Sequence, residues 1–281
     1  MLRIAVPNKG ALSEAATTML KEAGYLQRRD SRELVLTDAE NNVEFFYLRP
    51  RDIAVYVGKG TLDVGITGRD LLLDSEAPAG EELGLDFARS TFRFAGPAGA
   101  FTDVEQLEGK RIATSYSKLV ENYLAEKGIN ATVTRLDGAI ESSIRLGVAD
   151  AIADVVETGN TMRAAGLEPF GEAVMHSEAL LIKREGVEDT DALDKLRRRL
   201  QGVLIARQYV LVDYDISEDL LPAATELTPG LEAPTVSPLD REGWVAVRSM
   251  VKRKQVNRVM DDLYEVGARA ILVSPIQAAR L

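Results

Sequence analysis

Residues 141–162, ESSIRLGVADAIADVVETGNTM, decide the fold of the central part of the chain. They predict a helix that begins at Glu141, then a turn and a buried strand over residues 151–155. A new helix is predicted to begin within residues 157–161, where a Thr-Gly-Asn-Thr run supplies capping side chains. A short apolar strand followed at once by a helix is the unit from which parallel α/β sheets are built.

The same segment also suggests a ligand site. The start of a helix offers unpaired backbone N–H groups and the positive end of the helix dipole, and Thr158 and Thr161 add hydroxyl donors, so this loop can hold a phosphate. Asp154 lies at the carboxyl end of the strand, where open α/β sheets bind ligands, and suits ribose hydroxyls or magnesium. The plainer interpretation is that Thr158 caps a helix and Asp154 ends a strand. The residues alone leave both open.

Strands alternate with helices on both sides of this segment. Strands are predicted at residues 2–6, 43–48, 63–68, 92–95, 111–115, 131–135, 151–155 and 177–183. Helices are predicted at residues 13–23, from Pro50, from about Arg69, and at 118–127, 141–146 and 191–200. This alternation predicts an α/β fold with largely parallel sheets and helices on both faces.

The order of elements changes near the carboxyl end. The pattern predicts a strand at residues 203–212, a helix at 218–226, strands at 235–238 and 244–250, a helix at 255–265 and a strand at 270–273. This βαββαβ order is that of the ferredoxin-like unit, in which two helices pack on one face of a small antiparallel sheet. We therefore expect a separate module after residue 202.

Composition excludes several kinds of chemistry. The 281-residue chain has no cysteine and a single histidine, His176, which excludes disulfides, thiol nucleophiles and cysteine or histidine metal sites. A formal net charge of −10 argues against a nucleic-acid surface. The apolar run at the amino end is too short for a signal peptide or a membrane span, so we expect a cytoplasmic protein with no membrane partner.

Several motifs resemble those of the ATP phosphoribosyltransferases of the long form. The pattern E-x5-G-x-A-x2-I-x-D-V-x2-T-G-x-T-M within residues 141–162 matches the signature of that family. The opening residues 5–10, the segment 45–51, residues 65–70 and residues 136–138 are also similar to it. The resemblance therefore covers nearly the whole chain.

The resemblance implies an α/β, two-lobed catalytic body like the type II periplasmic binding proteins, followed by a ferredoxin-like (ACT-like) regulatory domain. Lobe I would comprise residues 1–90 with 184–202, lobe II residues 91–183, and the regulatory domain residues 203–281. The implied reaction joins ATP to phosphoribosyl pyrophosphate (PRPP) with magnesium, as the first step of histidine synthesis, under feedback inhibition by L-histidine. Homo-oligomers, from dimers to hexamers, are also implied.

The resemblance assigns three groups of site residues. PRPP would be held by Glu141, Asp154, Glu157, Thr158, Gly159, Asn160 and Thr161. ATP would be held by Lys9, Arg49, Asp70 and Tyr116. The first three lie at turns or helix starts after predicted strands, where a solvated helix end is the plainer interpretation. The Tyr116 ring suits stacking on adenine, and its plainer interpretation is a residue at the rim of the core. Histidine would be held by Asp213, Asp215, Leu231, Ala233, Thr235 and Ala270. No catalytic side chain is expected, because the nucleophile belongs to ATP, and the magnesium ligands stay unassigned.

Two other classes remain open from sequence. The two-lobed fold is shared by solute receptors and by the effector domains of regulators, which lack catalysis. A different PRPP transferase would carry acidic residues and a small-residue phosphate loop after a strand, and residues 152–159 are a loose analogue of that pattern. The surrounding motifs favour the ATP enzyme.

Overall fold

The computed structural model describes residues 1–156 and 159–280. The chain divides into two compact units. Met1–Thr18 and Tyr25–Thr190 form the first unit, and Met19–Gly24 with Asp191–Leu281 form the second.

The elements up to residue 190 alternate between strand and helix for most of their length. The first group contains β1 (Leu2–Pro7), α1 (Gly10–Glu22), β2 (Val35–Asp38), β3 (Val43–Leu48), α2 (Pro50–Gly58), β4 (Val64–Gly68), α3 (Arg69–Ser75) and β5 (Ala79–Gly84). The second group contains β6 (Ser90–Pro97), β7 (Arg111–Thr114), α4 (Ser117–Lys127), β8 (Thr132–Arg135), α5 (Ser142–Arg145), β9 (Ala151–Val156), α6 (Asn160–Ala164), β10 (Leu167–Ser177) and β11 (Ala179–Arg184).

Two mixed sheets give the first unit its two lobes. The sheet of lobe I has the order β2-β3-β1-β4-β11-β5, and that of lobe II has the order β10-β6-β9-β7-β8. In each sheet three parallel strands are followed by an antiparallel strand that arrives from the other lobe, namely β11 in lobe I and β6 in lobe II. This shared order is the two-lobed arrangement of the type II periplasmic binding proteins, and the predicted fold class is confirmed.

Lobe I is organised by strands that are buried on both faces. All five residues of β4 are buried, as are Ile4, Ala5 and Val6 of β1. Continuous apolar runs of this kind are typical of central strands covered by helices. Helix α2 begins with Pro50 at its first turn and buries Ile53, Ala54 and Val57 against the sheet.

Lobe II has its own aromatic core, and one of its strands escaped prediction. Phe92 and Phe94 of β6 pack with Ile112 of β7 and Val120 of α4. Strand β10 was not predicted before residue 177, because Pro169 and several polar residues obscure its alternation of buried and exposed positions. It is held in place by long-range pairing with β6.

The second unit contains the predicted βαββαβ module. Its elements are α7 (Asp191–Gln208), β12 (Tyr209–Ser217), α8 (Leu221–Leu227), β13 (Thr235–Pro238), β14 (Trp244–Lys252), α9 (Val256–Val266) and β15 (Arg269–Pro275). The antiparallel sheet has the order β13-β14-β12-β15, as a ferredoxin-like fold requires. Val212, Tyr214 and Val247 of the sheet pack with Leu263 of α9.

The strand predicted to begin at residue 203 was wrong in its first half. Helix α7 continues to Gln208, and Leu196, Leu200 and Val203 are buried at helical spacing. Short apolar runs do not distinguish a buried helix from a strand by periodicity, so the helix was cut short. No helix in the described residues is long and apolar enough to cross a membrane.

The packing of α2 on β4 gives a stability prediction. A Cβ at Gly65 would lie 2.5 Å from Cγ2 of Ile53 and 3.2 Å from Cβ of Ala5. Gly65→Ala should therefore lower the free energy of unfolding of the first unit by about 1–3 kcal/mol, the usual cost of overpacking. Urea denaturation followed by circular dichroism measures this.

Gly80→Ala is the matched control in the same sheet, because its Cβ would meet nothing closer than 3.9 Å. It should stay within about 1 kcal/mol of the parent. Equal stability of the two variants would contradict the close packing of α2 on β4.

Candidate active site

The parallel strands of both lobes end in polar residues. In lobe I, β1 is followed by Lys9, β3 by Arg49, and β4 by helix α3, whose first turn carries Asp70. In lobe II, Tyr116 follows β7, and Asp154 lies near the end of β9. Carboxyl ends of parallel strands share one edge of a sheet, which is where ligands bind in α/β folds. These five predicted residues therefore lie at the edges where α/β folds bind ligands.

Asp70 is buried and joins lobe I to the strand that returns from lobe II. Its carboxylate accepts a hydrogen bond of 2.7 Å from the Ser177 hydroxyl, and its backbone N–H donates to the same hydroxyl oxygen at 3.2 Å. Ser177 is the last residue of β10 and is itself buried. This pair of bonds fixes the carboxylate at the crossing between the lobes.

Tyr116 connects that carboxylate to lobe II. Its phenol lies near enough to Asp70 for that carboxylate to raise its pKa, and its ring packs edge-on against Phe92 with centroids 5.3 Å apart. The guanidinium of Arg51 lies over the same ring, 4.9 Å from its centroid. Burial, and then the negative charge of Asp70, raise the pKa of the Tyr116 phenol far above its usual value. The phenol therefore stays protonated and acts as a donor.

Asp154 has a carboxyl group that is a weaker acid than an ordinary aspartate. Burial raises its pKa to about 6, and the charges of Glu141 and Asp70 act in the same direction. A 2.8 Å hydrogen bond from the Val155 N–H and the charge of Arg51 partly oppose the rise. The pKa values of Asp154 and Tyr116 thus both depend on Asp70 and Arg51, and that of Asp154 depends also on Glu141. These groups come from both lobes.

Arg51 also belongs to this group, although it is not among the residues assigned to ATP from the sequence. It forms a 2.6 Å ion pair with Asp74, whose side chain is 5% exposed. Its position in the first turn of α2, after a strand, was the available signal. Asp74 itself and Ser177 gave none, because each acts through a partner that is distant in sequence.

The remaining PRPP residues lie beside β9. Gly159 is the residue before α6 and has a φ of 70°, a conformation that favours glycine. The side-chain amide oxygen of Asn160 accepts a 2.8 Å hydrogen bond from the Arg163 guanidinium, and Thr161 is exposed in the first turn of α6. Glu157 and Thr158 lie outside the described residues. Lys9 and Arg49 are exposed at the edge of lobe I.

The residues predicted to bind histidine lie on the sheet of the second unit and in the loop before β13. Thr235 of β13 pairs with Arg248 of β14, which pairs with Asp213 of β12, so these three form one row across the sheet. Arg248 also donates a 2.7 Å hydrogen bond to the Asp213 carboxylate.

The other residues assigned to histidine binding flank this row. Asp215 pairs with Arg269, and the register between β12 and β15 shifts next to it. Ala270 lies in that irregularity with a φ of 50°, a strained value for a residue with a Cβ. Leu231 and Ala233 follow Gly230, where a Cβ would lie 3.1 Å from the carbonyl oxygen of Ala233.

The chemistry available in the first unit is that of binding and alignment. Within residues 1–156 and 159–280, no three histidine, aspartate or glutamate side chains are grouped as a protein-built metal cage requires. Asp70 and Asp154 offer carboxylate oxygens, which suit a magnesium ion that keeps most of its ligands from a phosphorylated substrate.

Comparison with known proteins identifies the family. The family model described as ATP phosphoribosyltransferase matches residues 49–202, and the model for its C-terminal domain, HisG_C, matches residues 206–278. The ATP phosphoribosyltransferase of Kocuria rhizophila is 74% identical over 281 residues, which is 100% of both chains. That of Streptomyces coelicolor is 60% identical, again over 100% of both chains.

A solved structure agrees with these matches. The ATP phosphoribosyl transferase (HisG:HisZ) complex from Thermotoga maritima contains a chain that is 28% identical, with a TM-score of 0.61. The match covers 72% of this chain and 99% of that one. With relatives matched from end to end and both family models present, the chain belongs to the long-form ATP phosphoribosyltransferases, which condense ATP with PRPP in the first step of histidine biosynthesis.

Proposed function

We propose that the cleft between the lobes of the first unit is where ATP and PRPP react. The observation that carries this proposal is the grouping of Asp70, Arg51, Tyr116 and Asp154 where the strand ends of both lobes meet. A site shared by two lobes can hold one substrate on each side and exclude water when the lobes close. Water exclusion matters here because water would otherwise capture the activated ribose.

PRPP is assigned to lobe II. Asp154 gives a carboxylate for the ribose hydroxyls, and Gly159, Asn160 and Thr161 at the start of α6 give backbone and hydroxyl donors for the 5′-phosphate. Glu157 and Thr158, which belong to the same assignment, lie outside the described residues. Glu141 supplies a second carboxylate whose charge already reaches Asp154. The raised pKa of Asp154 supports this role, since a carboxylate that is costly to ionise when the site is empty gains most from a bound donor or cation.

ATP is assigned to the part of the cleft between lobe I and Tyr116 of lobe II. Tyr116 offers an aromatic ring on which adenine can stack, and its phenol lies beside the Asp70 carboxylate of lobe I. Lys9 and Arg49 lie at the same sheet edge and carry the positive charge that a triphosphate requires. The net charge of −10 does not oppose this, because the positive potential is local.

The reaction requires no protein nucleophile. N1 of adenine attacks the anomeric carbon of PRPP, the bond from that carbon to the pyrophosphate oxygen breaks, and pyrophosphate leaves with the electron pair. We assign magnesium as the cofactor, which when bound neutralises the charge that builds on the pyrophosphate. Asp70 and Asp154 are its nearest protein ligands in this proposal. The chain itself contributes alignment of two reactants and a dry cleft.

We propose that the second unit binds L-histidine and lowers activity. The carboxylates of Asp213 and Asp215 suit the amine or imidazole of the ligand, and the loop before Thr235 offers backbone groups for its carboxylate. Leu272 lies in the same row as Asp213 and is 63% exposed. An apolar residue that is exposed on this sheet supports association of copies of the chain into dimers and hexamers.

Substitutions at Asp154 and Tyr116 test the PRPP assignment and the ATP assignment separately. Asp154→Asn should raise the KM for PRPP by roughly 10–100-fold, the effect of losing about 1–3 kcal/mol from a charge-assisted contact. Tyr116→Leu should raise the KM for ATP by a similar factor through lost stacking, whereas Tyr116→Phe keeps the ring and stays closer to the parent. Steady-state kinetics with each substrate varied in turn measures these effects.

The Asp154 variant also has a stability signature. Because the pKa of Asp154 rises from 3.8 to about 6 on folding, stability falls as pH rises through that window. Asp154→Asn carries no charge to bury, so it should be more stable than the parent above about pH 7, by at most about 3 kcal/mol. The difference should vanish below about pH 3, where the carboxyl group is protonated in both the folded and the unfolded state. An Asp154→Asn protein that is less stable at both pH values, with an unchanged KM for PRPP, would reduce Asp154 to a structural residue.

Leu231→Phe tests the histidine assignment. Crowding the loop after Gly230 should weaken histidine binding by roughly 10–100-fold, the equivalent of an overpacking cost of about 1–3 kcal/mol in the bound state. Activity without histidine should stay at the parent value, because the substitution lies in the second unit. Calorimetric titration with histidine, run beside the activity assay, measures both.

Leu220→Phe is the matched control, since Leu220 and Leu231 are 38% and 39% exposed and both belong to the second unit. It should bind histidine as the parent does. Parent-like histidine binding by Leu231→Phe would place the pocket elsewhere.

A further inference from the structure

Helix α4 of lobe II begins without a cap of its own. The residue at its N-cap position is Tyr116, whose side chain makes no capping hydrogen bond. A helix start leaves four backbone N–H groups without helical partners, and serine, threonine, aspartate or asparagine normally satisfies one of them locally.

The missing cap comes from lobe I. Oδ1 of Asp74, in α3, accepts hydrogen bonds from the backbone N–H groups of Lys118 and Leu119 at 3.0 and 3.3 Å. These are the second and third residues of α4, the pair that a local cap would satisfy. Oδ2 of the same carboxylate accepts the 2.6 Å bond from Arg51. With 5% of its side chain exposed, Asp74 is a buried charge whose oxygens bind a helix start of one lobe and a cation of the other.

Other contacts of α3 also join it to lobe II or to the crossing between the lobes. Asp70 lies four residues before Asp74, on the same face of the helix, and reaches Tyr116. Glu76, just after α3, accepts a 3.4 Å hydrogen bond from Asn122 of α4. At the other end, Arg69 binds Glu81 at 2.7 Å and the His176 carbonyl at 3.2 Å. Helix α3 is thus anchored at the lobe crossing and presents its acidic face to lobe II.

We propose that Asp74 is an interlobe latch, a positioning residue that holds the cleft closed and fixes the two groups flanking the ATP site, Arg51 and the start of the helix that follows Tyr116. This inference rests on the proposed placement of the substrates. Asp74 touches neither substrate. It acts by making the closed arrangement of the lobes the one in which α4 is capped, while its pair with Arg51 holds the carboxylate in position within lobe I.

Opening the lobes would separate Asp74 from the start of α4, and the N–H groups of Lys118 and Leu119 would pass to water. The pair between Arg51 and Asp74 lies within lobe I and would stay with that lobe. Removal of the carboxylate therefore shifts the population towards open forms. Part of the binding free energy of each substrate is then used to close the lobes, so the apparent affinity for both substrates falls. Losing a helix cap typically changes an equilibrium by about 2- to 30-fold. Saturating substrates restore the closed form, so kcat should change by less than KM.

Three variants of the full-length chain separate the possible roles. Asp74→Ala removes the cap and the ion pair and should raise the KM for both ATP and PRPP by about 3- to 30-fold. Asp74→Asn retains a capping oxygen and loses the charge, so its KM values should fall between those of Asp74→Ala and the parent. Asp150→Ala is the matched control, because Asp150 likewise accepts a backbone N–H, that of Arg111 at 2.9 Å, and an arginine at 2.7 Å, but within lobe II. Its KM values should match those of the parent.

Interlobe distance gives a readout that does not depend on catalysis. The natural chain has no cysteine, so spin labels at Lys59→Cys in lobe I and Glu126→Cys in lobe II are unique, and both positions are exposed. Pulsed electron paramagnetic resonance should give one narrow distribution of the distance between the two labels when the chain is otherwise unchanged. Asp74→Ala should add longer distances that magnesium and ATP reduce, and Asp74→Asn should add fewer.

The outcomes distinguish the latch from the proposed site. A distance distribution for Asp74→Ala that equals that of the parent overturns the latch, whatever the kinetics. Longer distances with raised KM values support both the latch and the placement of the substrates. Longer distances with unchanged KM values support the latch and remove the substrates from this cleft. Should Asp74→Ala fail to fold, Asp74→Asn carries the same comparison.

Discussion

The arrangement of the active cleft depends on the burial of acidic groups near one another. Asp70 and Asp154 lie near the protonated phenol of Tyr116, and Arg51 supplies positive charge beside them. Like charges in a poorly solvated place are unfavourable, and the rise of the Asp154 pKa to about 6 is the visible consequence. A bound polyhydroxyl sugar with its cation relieves that cost. In the proposed function, the cleft is therefore electrostatically prepared for a ligand of the PRPP type.

This preparation explains how a chain with no cysteine and one histidine can be a transferase. The adenine of one substrate is the nucleophile and the pyrophosphate of the other is the leaving group, so rate enhancement comes from alignment and charge stabilisation. Alignment requires that the lobes meet in one geometry. The contacts from α3, which reach lobe II through Asp70, Asp74 and Glu76, provide such a geometry before any substrate is present.

Sequence was a good guide to features that local patterns encode. The alternation of apolar strands and helices gave the α/β class, and the βαββαβ order gave the ferredoxin-like sheet. It was a poor guide where partners are distant along the chain. Strand β10 is maintained by pairing with β6, helix α7 extends into a run that also suits a strand, and the cap of α4 comes from a residue more than forty positions earlier. Periodicity and capping rules describe neighbours in sequence, so a cap supplied by another lobe leaves no mark in the helix that receives it.

Formation of product from both substrates is the most direct test of the central claim. The purified full-length chain is mixed with ATP, PRPP and magnesium, and the ultraviolet absorbance of phosphoribosyl-ATP and the release of pyrophosphate are followed together. Pyrophosphate should appear in equal amount with the new chromophore, only when both substrates are present, and the product should retain all three phosphates of ATP. Release of pyrophosphate with free ribose 5-phosphate and unchanged ATP, or no reaction at all, would contradict the account.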